Sequence, residues 1–276
     1  MTIAAFAYLN LPADEQRRVC EILKHHPNYS RWVSGFSTDA APVDLETLIV
    51  MRASTWPDEI RRKGNPYDHP NWHFVDYPLE PSAFSFKPSP SPTNDILYGI
   101  GQSERMLGAT NVSDEDRAIY LSWIFHLIGD LHQPLHCSAY VTAEYPAPRG
   151  DKGGNNFFVK PGQRGVNLHS VWDQALGLRA NPRTAYNVAI RLSGQYLRKD
   201  LPELTTNKTV EGWSKESRAL AIEAAYLKGT LKGSKQAEDA PPLPDGYITT
   251  MKGVAEKQAA LAGFRLADEI NRCLPK

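Results

Sequence analysis

The spacing of hydrophobic residues along the chain is mostly that of α-helices. Between residues 12 and 25, Val19, Ile22 and Leu23 fall on one helical face, and Pro12 stands where proline is tolerated at a helix start. Residues 246–273 form a longer amphipathic segment. Its apolar positions are Val254, Leu261, Phe264, Leu266 and Ile270. Both segments are predicted to be helices that bury one face.

A helix is also predicted to begin after Ser113. The Ser113 hydroxyl can cap the helix, and the acidic residues 114–116 suit the positive end of the helix dipole. The apolar pattern then continues to Pro134, which cannot extend a helix. Helical patterns also cover residues 94–108, 167–177, 182–200 and 209–228.

Proline and glycine mark the predicted loops at residues 87–93, 140–156 and 232–246. Residues 155–160 and 166–170 are compatible with a short β-hairpin or with a loop of extended chain that forms no hairpin. We find no internal repeat and no change of composition that would mark a domain boundary. The chain is therefore predicted to be mainly α, a single compact helical domain over residues 1–276 with long loops and at most a short β-hairpin.

Charge and composition narrow the class of protein. The 276 residues include 31 basic and 31 acidic ones, so a protein that holds nucleic acid by a broad basic surface is excluded. No apolar run approaches the ~20 residues of a membrane helix, and the N-terminus lacks the basic region of a signal peptide. Cys20, Cys137 and Cys273 show no metal-site spacing and are predicted to be small buried residues.

The candidate chemistry lies in the histidines. The sequence has no GxSxG, Walker A, HExxH or CxxC motif, and Gly99 and Gly101 do not form a dinucleotide-binding fingerprint. His126 and Asp130 are four residues apart and share a helix face. His169 and Asp173 have the same spacing.

Additional ligand types lie outside these two pairs. His136 follows Pro134, on chain that has left the helix, while Asp58, His73 and Asp76 come from an upstream segment. Imidazole nitrogen and carboxylate oxygen together suit zinc in hydrolytic sites.

These His–Asp pairs have two interpretations. Such pairs commonly lie on a solvated helix face or near a cap. However, His126 and Asp130 belong to an apolar stretch, and burying both costs several kcal/mol unless a partner such as a metal compensates. From spacing alone, the surface and metal interpretations both stay open. Of the other histidines, His25 and His26 are expected at the surface and His132 in a structural role.

Several segments in a fixed order resemble zinc-dependent single-strand-specific nucleases of the S1/P1 family. The segments are WPDEIR (56–61), WHFVDYP (72–78), HLIGDLHQPLH (126–136), GDKGGNN (150–156), NLHSVWD (167–173), WSKES (213–217) and residues 246–271. The resemblance spans nearly the whole chain. It implies a mostly helical fold with three zinc ions in a cleft.

The resemblance implies a ligand set for these ions. One zinc would be held by Asp58, His73, His126 and Asp130, and a second by His136, His169 and Asp173. Asp130 would bridge to a third zinc, whose other family ligands are an N-terminal Trp and a nearby His. The sequence from Met1 contains neither of these, so we expect a truncated N-terminus, a reading frame that starts upstream, and an incomplete third site.

The resemblance also assigns catalytic and binding roles. Arg61 would brace the phosphate, and Asp76 would orient the attacking water or contact the base. Phe74 would stack on a base, and Asn155 would hydrogen-bond at the phosphate or base site. Without the resemblance, these four are a helix charge, a turn residue, a core residue and a loop residue.

The implied activity is a zinc-dependent endonuclease and 3′-nucleotidase that leaves 5′-phosphates on single-stranded DNA or RNA. The implied partners are nucleic acid and nucleotides, without a membrane. The protein is expected to be a monomer, secreted or periplasmic in its full-length form. Two alternatives stay open. Zinc phospholipases C share this type of metal cluster, although their last ligand motif ends in Glu where this chain has Asp173. An inactive metal-binding remnant is the other.

Overall fold

The structure, a computed structural model, describes residues 1–34, 43–61, 64–80, 94–177 and 181–274. Its α-helices are α1 Thr2–Leu9, α2 Ala13–Leu23, α3 Tyr29–Val33, α4 Leu45–Ala53, α5 Trp56–Glu59, α6 Ile96–Gly108, α7 Asp114–Leu131, α8 Leu168–Asp173, α9 Pro182–Gln195, α10 Glu203–Thr206, α11 Val210–Leu220 and α12 Tyr247–Cys273. Its strands are β1 Pro78–Leu79, β2 Ala139–Tyr140, β3 Phe158–Val159 and β4 Val166–Asn167. The mainly helical fold is confirmed. The loop predicted at residues 87–93 lies outside the described residues.

Helix α7 is the centre of the fold. The Ser113 hydroxyl accepts a hydrogen bond from the Asp116 amide at 3.0 Å, so the predicted cap is confirmed. The helix is buried over most of its second half, because α6, α2 and α12 pack around it. Its C-terminal end carries His126, which is buried, and Asp130, whose side chain is 18 % exposed. Burial of such polar groups is costly unless a partner compensates for the lost hydration.

Helices α1 and α12 pack against each other on one side of α7. The rings of Phe6 and Phe264 meet edge to face, with centroids 4.9 Å apart. A side chain at Gly263 would overlap the Phe6 ring, since an added Cβ would lie 2.2 Å from it. Helix α1 was not predicted because the residues between Ala4 and Tyr8 are all buried, which leaves no amphipathic period to detect.

Two short strand pairs support the loops beside α7. β3 and β4 pair antiparallel, with Phe158 opposite Asn167, so the hairpin is the one of the two open alternatives that forms. β1 and β2 pair in parallel, with Pro78 opposite Ala139. This second pair joins segments about sixty residues apart, so no local pattern could predict it. It aligns the chain that follows His73 with the chain that follows His136.

Burial confirms the prediction for the cysteines and corrects it for one histidine. Cys20, Cys137 and Cys273 are buried and free. His26, expected at the surface, is 3 % exposed and stacks on Trp32 with ring centroids 4.3 Å apart. Burial lowers the pKa of His26 to about 3, so the ring stays neutral. In the described part of the chain, no helix is long and apolar enough to cross a membrane.

Candidate metal centre

Chain segments from distant parts of the sequence meet at one cleft of about 720 Å³. The residues that they bring together are Asp58 from α5, His73 from the following loop, His126 and Asp130 from α7, His136 from a 3₁₀ turn at Pro134–Cys137, and His169 and Asp173 from α8. All seven residues predicted as metal ligands therefore line the same cavity.

The first group of ligand atoms is tightly packed. His126 Nε2 lies 2.8 Å from His73 Nδ1 and 3.0 Å from Asp130 Oδ2. Asp58 Oδ1 lies 3.6 Å from His73 Nδ1 and 3.8 Å from His126 Nε2. Ligands about 2.0–2.1 Å from a tetrahedral zinc are roughly 3.3 Å apart, so this donor set fits zinc.

The second group is more open. His136 Nε2 and His169 Nε2 each lie 3.5 Å from an oxygen of Asp173. All their candidate ligand atoms fall within 4.8 Å of one another. Asp130 lies between the two groups, because its Oδ2 is 3.2 Å from His73 Nδ1 and 3.6 Å from His136 Nδ1. The two groups thus form one continuous polar cluster.

Backbone carbonyls fix the orientation of three of the imidazoles. His126 Nδ1 donates to the Ser54 carbonyl at 2.9 Å, His136 Nδ1 to the His73 carbonyl at 2.7 Å, and His169 Nδ1 to the Gly153 carbonyl at 2.7 Å. A carbonyl can only accept, so each ring presents an unprotonated Nε2 or a charged imidazolium to the cluster. Metal-binding histidines are usually held in this way.

Three carboxylates among these buried imidazoles determine the electrostatics. Burial opposes ionisation of Asp130, but His126 and His136 hold its pKa well below the ordinary value. Burial likewise lowers the pKa of His136, but Asp130 and Asp173 outweigh it and raise the pKa to about 9. Without a bound metal, the protonated His136 therefore supplies positive charge to the carboxylates of the cluster.

Metal binding is expected to release protons at neutral pH. With a pKa of about 9, His136 is charged at pH 7 and must lose its proton before Nε2 can bind a metal. Because this proton is lost more easily at higher pH, the apparent affinity of the protein for zinc should rise about tenfold per pH unit from pH 7 to pH 9. Calorimetric titration with zinc in buffers of different ionisation enthalpy should show at least one proton released per chain at pH 7. Proton-neutral binding at that pH would contradict the prediction.

Comparison with known proteins places this cluster in a family context. The profile of the S1/P1 Nuclease family matches residues 1–275. The chain belongs to the S1/P1 nuclease family. It is similar to Endonuclease 4 of Arabidopsis thaliana, with 27 % identity over 79 % of this chain and 75 % of the relative. It is also similar to Nuclease P1 of Penicillium citrinum, with 23 % identity over 92 % of this chain and 94 % of the relative.

Family membership gives the protein a general activity. It is a nuclease, a hydrolase whose substrate is nucleic acid, and it belongs to a family of metal-dependent enzymes. The His–Asp groups are its candidate metal-binding residues.

Arg61 of the nuclease is held against the first ligand group. Its Nε lies 3.2 Å from Asp58 Oδ1 and donates to His73 Nε2 at 3.3 Å. The side chain is 47 % exposed and lines the cleft, so it can exchange these partners for a phosphate. Arg62 and Lys63, the neighbouring cations, lie outside the described residues.

Phe74, Asp76 and Asn155 also line the cleft of the nuclease. Phe74 and Asp76 are half-buried, whereas Asn155 is exposed and donates from Nδ2 to the Lys152 carbonyl at 2.9 Å. Burial raises the pKa of Asp76 to about 6, although the charge of Arg149 opposes the rise. Asp76 is thus mostly ionised at neutral pH and can accept a hydrogen bond.

Replacing Asp76 by Asn is expected to stabilise the metal-free nuclease above pH 6. Folding raises this pKa from 3.8 to about 6, so the folded state favours the protonated carboxyl group. That stabilisation is fully present below pH 3.8 and is lost as the pH rises through 6, where the buried group ionises. The difference amounts to about 3 kcal/mol at pH 8. Thermal melts in chelator should show a higher Tm for Asp76→Asn at pH 8 and a much smaller gain at pH 4. A gain that does not vary with pH would argue against the buried charge.

Gln133 also contributes to the site, although it is not among the site residues predicted from the sequence. Its Nε2 donates to Asp173 Oδ1 at 2.7 Å, and its Oε1 accepts from the Leu135 amide at 2.5 Å. It therefore ties α8 to the turn that carries His136. Its position three residues before His136 was the only local signal.

Proposed function

We propose that this nuclease is zinc-dependent, cuts single-stranded DNA or RNA to leave 5′-phosphate ends, and removes phosphate from 3′-nucleotides. The main support is the continuous cluster of two ligand groups joined through Asp130, beside the aromatic ring of Phe74. This combination provides metal sites and a surface for an unpaired base in one cleft.

The donor chemistry indicates which residues would hold zinc. Asp58, His73, His126 and Asp130 would form one site, and His136, His169 and Asp173 another. Bound zinc would supply Lewis acidity for the phosphate and would lower the pKa of water towards ~7. The protein positions these donors through the carbonyls of Ser54, His73 and Gly153.

The remaining polar residues would handle the substrate. Arg61 would donate to phosphate oxygens, for which its planar guanidinium is suited. Asp76, ionised at neutral pH, would accept a hydrogen bond from the attacking water and so orient it, or would contact the base. Asn155 would donate to a phosphate or base from the edge of the cleft.

Stacking explains the proposed preference for single strands. Phe74 offers a face to any base, since every base has a π-surface. In a duplex that surface is already covered by neighbouring base pairs, and a base must first be pulled out of the stack. We also propose that the protein is a monomer that acts outside the cytoplasm, and light scattering tests the first of these points.

A comparison of substrates tests the proposed function. Metal-free protein reloaded with zinc should cleave a labelled single strand at least ~10-fold faster than the same strand in a duplex. It should also release phosphate from 3′-AMP. Zinc content, measured in parallel, should be at least two ions per chain. The 5′ ends of the fragments should accept ligation without prior phosphorylation.

Three results would overturn the proposal. Equal cleavage of duplex and single strand would reject the strand preference. Release of phosphocholine from phosphatidylcholine without cleavage of nucleic acid would favour a phospholipase. A protein that binds no zinc and cleaves nothing would be an inactive remnant.

A further inference from the structure

The loop between β2 and β3 carries two cations to the rim of the metal cleft. Arg149 and Lys152 both line the cavity that contains His169 and Asp173, and both are exposed. We propose that Arg149 and Lys152 form a subsite for a second phosphodiester group of the nucleic-acid strand, next to the one that is cut. This inference rests on the proposed function, because it assumes a polynucleotide in the cleft.

The loop is anchored beneath these cations. Asp151, between them in sequence, is fully buried and accepts hydrogen bonds from the Tyr226 hydroxyl at 2.7 Å and the Tyr140 amide at 2.9 Å. Its carbonyl accepts from the Asn156 amide at 2.9 Å, which closes the loop. Because Asp151 is held in place, the backbone that carries Arg149 and Lys152 has a defined position.

Backbone geometry restricts the loop further. Gly150 and Gly153 both have positive φ, at 52° and 60°. An added Cβ would lie 2.5 Å from the Tyr140 carbonyl oxygen at the first and 2.3 Å from the Leu135 carbonyl oxygen at the second. The loop is therefore packed directly on the backbone that carries the second ligand group. A fixed loop of this kind can present cations without a large cost in conformational entropy.

The charges of Arg149 and Lys152 are available to a ligand. Within the described residues, neither side chain takes part in an ion pair, whereas Arg191, Arg198 and Arg265 each pair with a carboxylate. Arg149 acts at a distance on Asp76 and opposes the rise of its pKa. A strand that passes Asp76 would therefore come near Arg149. Phosphate oxygens are the partners expected for such cations in a nuclease cleft.

The subsite should affect chains but not mononucleotides. A 3′-nucleotide has one phosphate, which the reaction centre occupies, so it cannot reach the subsite at the same time. We expect Arg149→Gln/Lys152→Gln to raise KM for a single-stranded oligonucleotide about 10-fold with kcat within twofold. KM for 3′-AMP should stay within twofold. The salt dependence of oligonucleotide binding should weaken by about 1.4 in log–log slope, since each cation contributes ~0.7 on single strands.

Neutral linkages locate the phosphate that is bound. A series of oligonucleotides would carry one methylphosphonate each, placed at successive positions from the cut. With the wild-type protein, one position other than the scissile one should raise KM about 10-fold. With Arg149→Gln/Lys152→Gln, the same substitution should change KM less than twofold, because the partner charge is already gone.

A matched control is available on the neighbouring turn. Lys160→Gln/Arg164→Gln removes the same charge between β3 and β4, away from the residues that line the cleft. This control should leave KM and the position dependence unchanged. Three results would each overturn the subsite. The double variant could raise KM equally for the oligonucleotide and 3′-AMP, or it could keep the methylphosphonate effect. The control variant could also raise KM for the oligonucleotide as much as the double variant does. If the zinc-loaded wild type cuts no nucleic acid, the proposed function fails. Anisotropy of a labelled single strand then tests the subsite separately, by the same loss of salt dependence.

Discussion

Asp130→Asn is expected to lower the rate of nucleic-acid hydrolysis about 10³-fold or more. Asp130 Oδ2 lies 3.0 Å from His126 Nε2, 3.2 Å from His73 Nδ1 and 3.6 Å from His136 Nδ1. The amide keeps the shape of the side chain but removes the charge that both ligand groups share. If metal binding supplies several kcal/mol of transition-state stabilisation, losing about 4 kcal/mol corresponds to this factor.

Metal content and proton binding should change together with this activity. Zinc per chain, measured by elemental mass spectrometry, should fall by at least one ion in Asp130→Asn. The pKa of His136 should also drop from about 9, since Asp130 is one of the two carboxylates that raise it against burial.

The control is a carboxylate on the surface. Asp268 lies 2.9 Å from Arg198 and is 54 % exposed, so Asp268→Asn should cost little stability and no activity. An Asp130→Asn protein with wild-type zinc content and rate would show that the two groups work independently of this residue.

Gly153→Ala is expected to destabilise the protein by about 3 kcal/mol. Gly153 has φ of 60°, a conformation that costs alanine energy, and its added Cβ would lie 2.3 Å from the Leu135 carbonyl oxygen. The loop must move, and the Gly153 carbonyl that accepts from His169 Nδ1 moves with it. We therefore expect a lower Tm and weaker zinc binding at the second group.

Gly101→Ala is the matched control for this change. Gly101 lies inside α6, and nothing stands within 4 Å of the position of its Cβ. In a helix interior, alanine is preferred over glycine by up to ~1 kcal/mol. Differential scanning calorimetry should show a slightly higher Tm for Gly101→Ala and a clearly lower one for Gly153→Ala. Equal shifts in both variants would contradict the proposed clash.

The sequence predicted the amphipathic helices well and the buried helix poorly. α2, α6, α7 and α12 lie close to their predicted spans, because each has a local cap, breaker or apolar period. α9 ends at Gln195, and α11 gives way at Ala221 to a wider π-helical turn, both earlier than predicted. Helix α1 was not predicted, because neighbouring elements bury every face of it and its sequence therefore has no amphipathic period.

His132 illustrates why local patterns cannot assign a role to every polar residue. It was expected to be structural, and its Nε2 accepts from Arg265 Nη1 at 2.9 Å while its Nδ1 donates to the Ile128 carbonyl at 2.7 Å. Arg265 also pairs with Glu216 at 2.7 Å. No local pattern indicates Arg265 or Glu216 as neighbours of His132, because they lie on α12 and α11.

The sequence by itself determined the types of ligand and their local pairing. His126 with Asp130 and His169 with Asp173 share helix faces because four residues make about one turn, and this depends only on local backbone geometry. Tertiary structure decided that both pairs, Asp58, His73 and His136 meet at one cleft. The hydrogen bonds from Gln133 to Asp173 and from His169 to the Gly153 carbonyl were also decided by tertiary structure alone. They join segments whose distance depends on the packing of the whole chain.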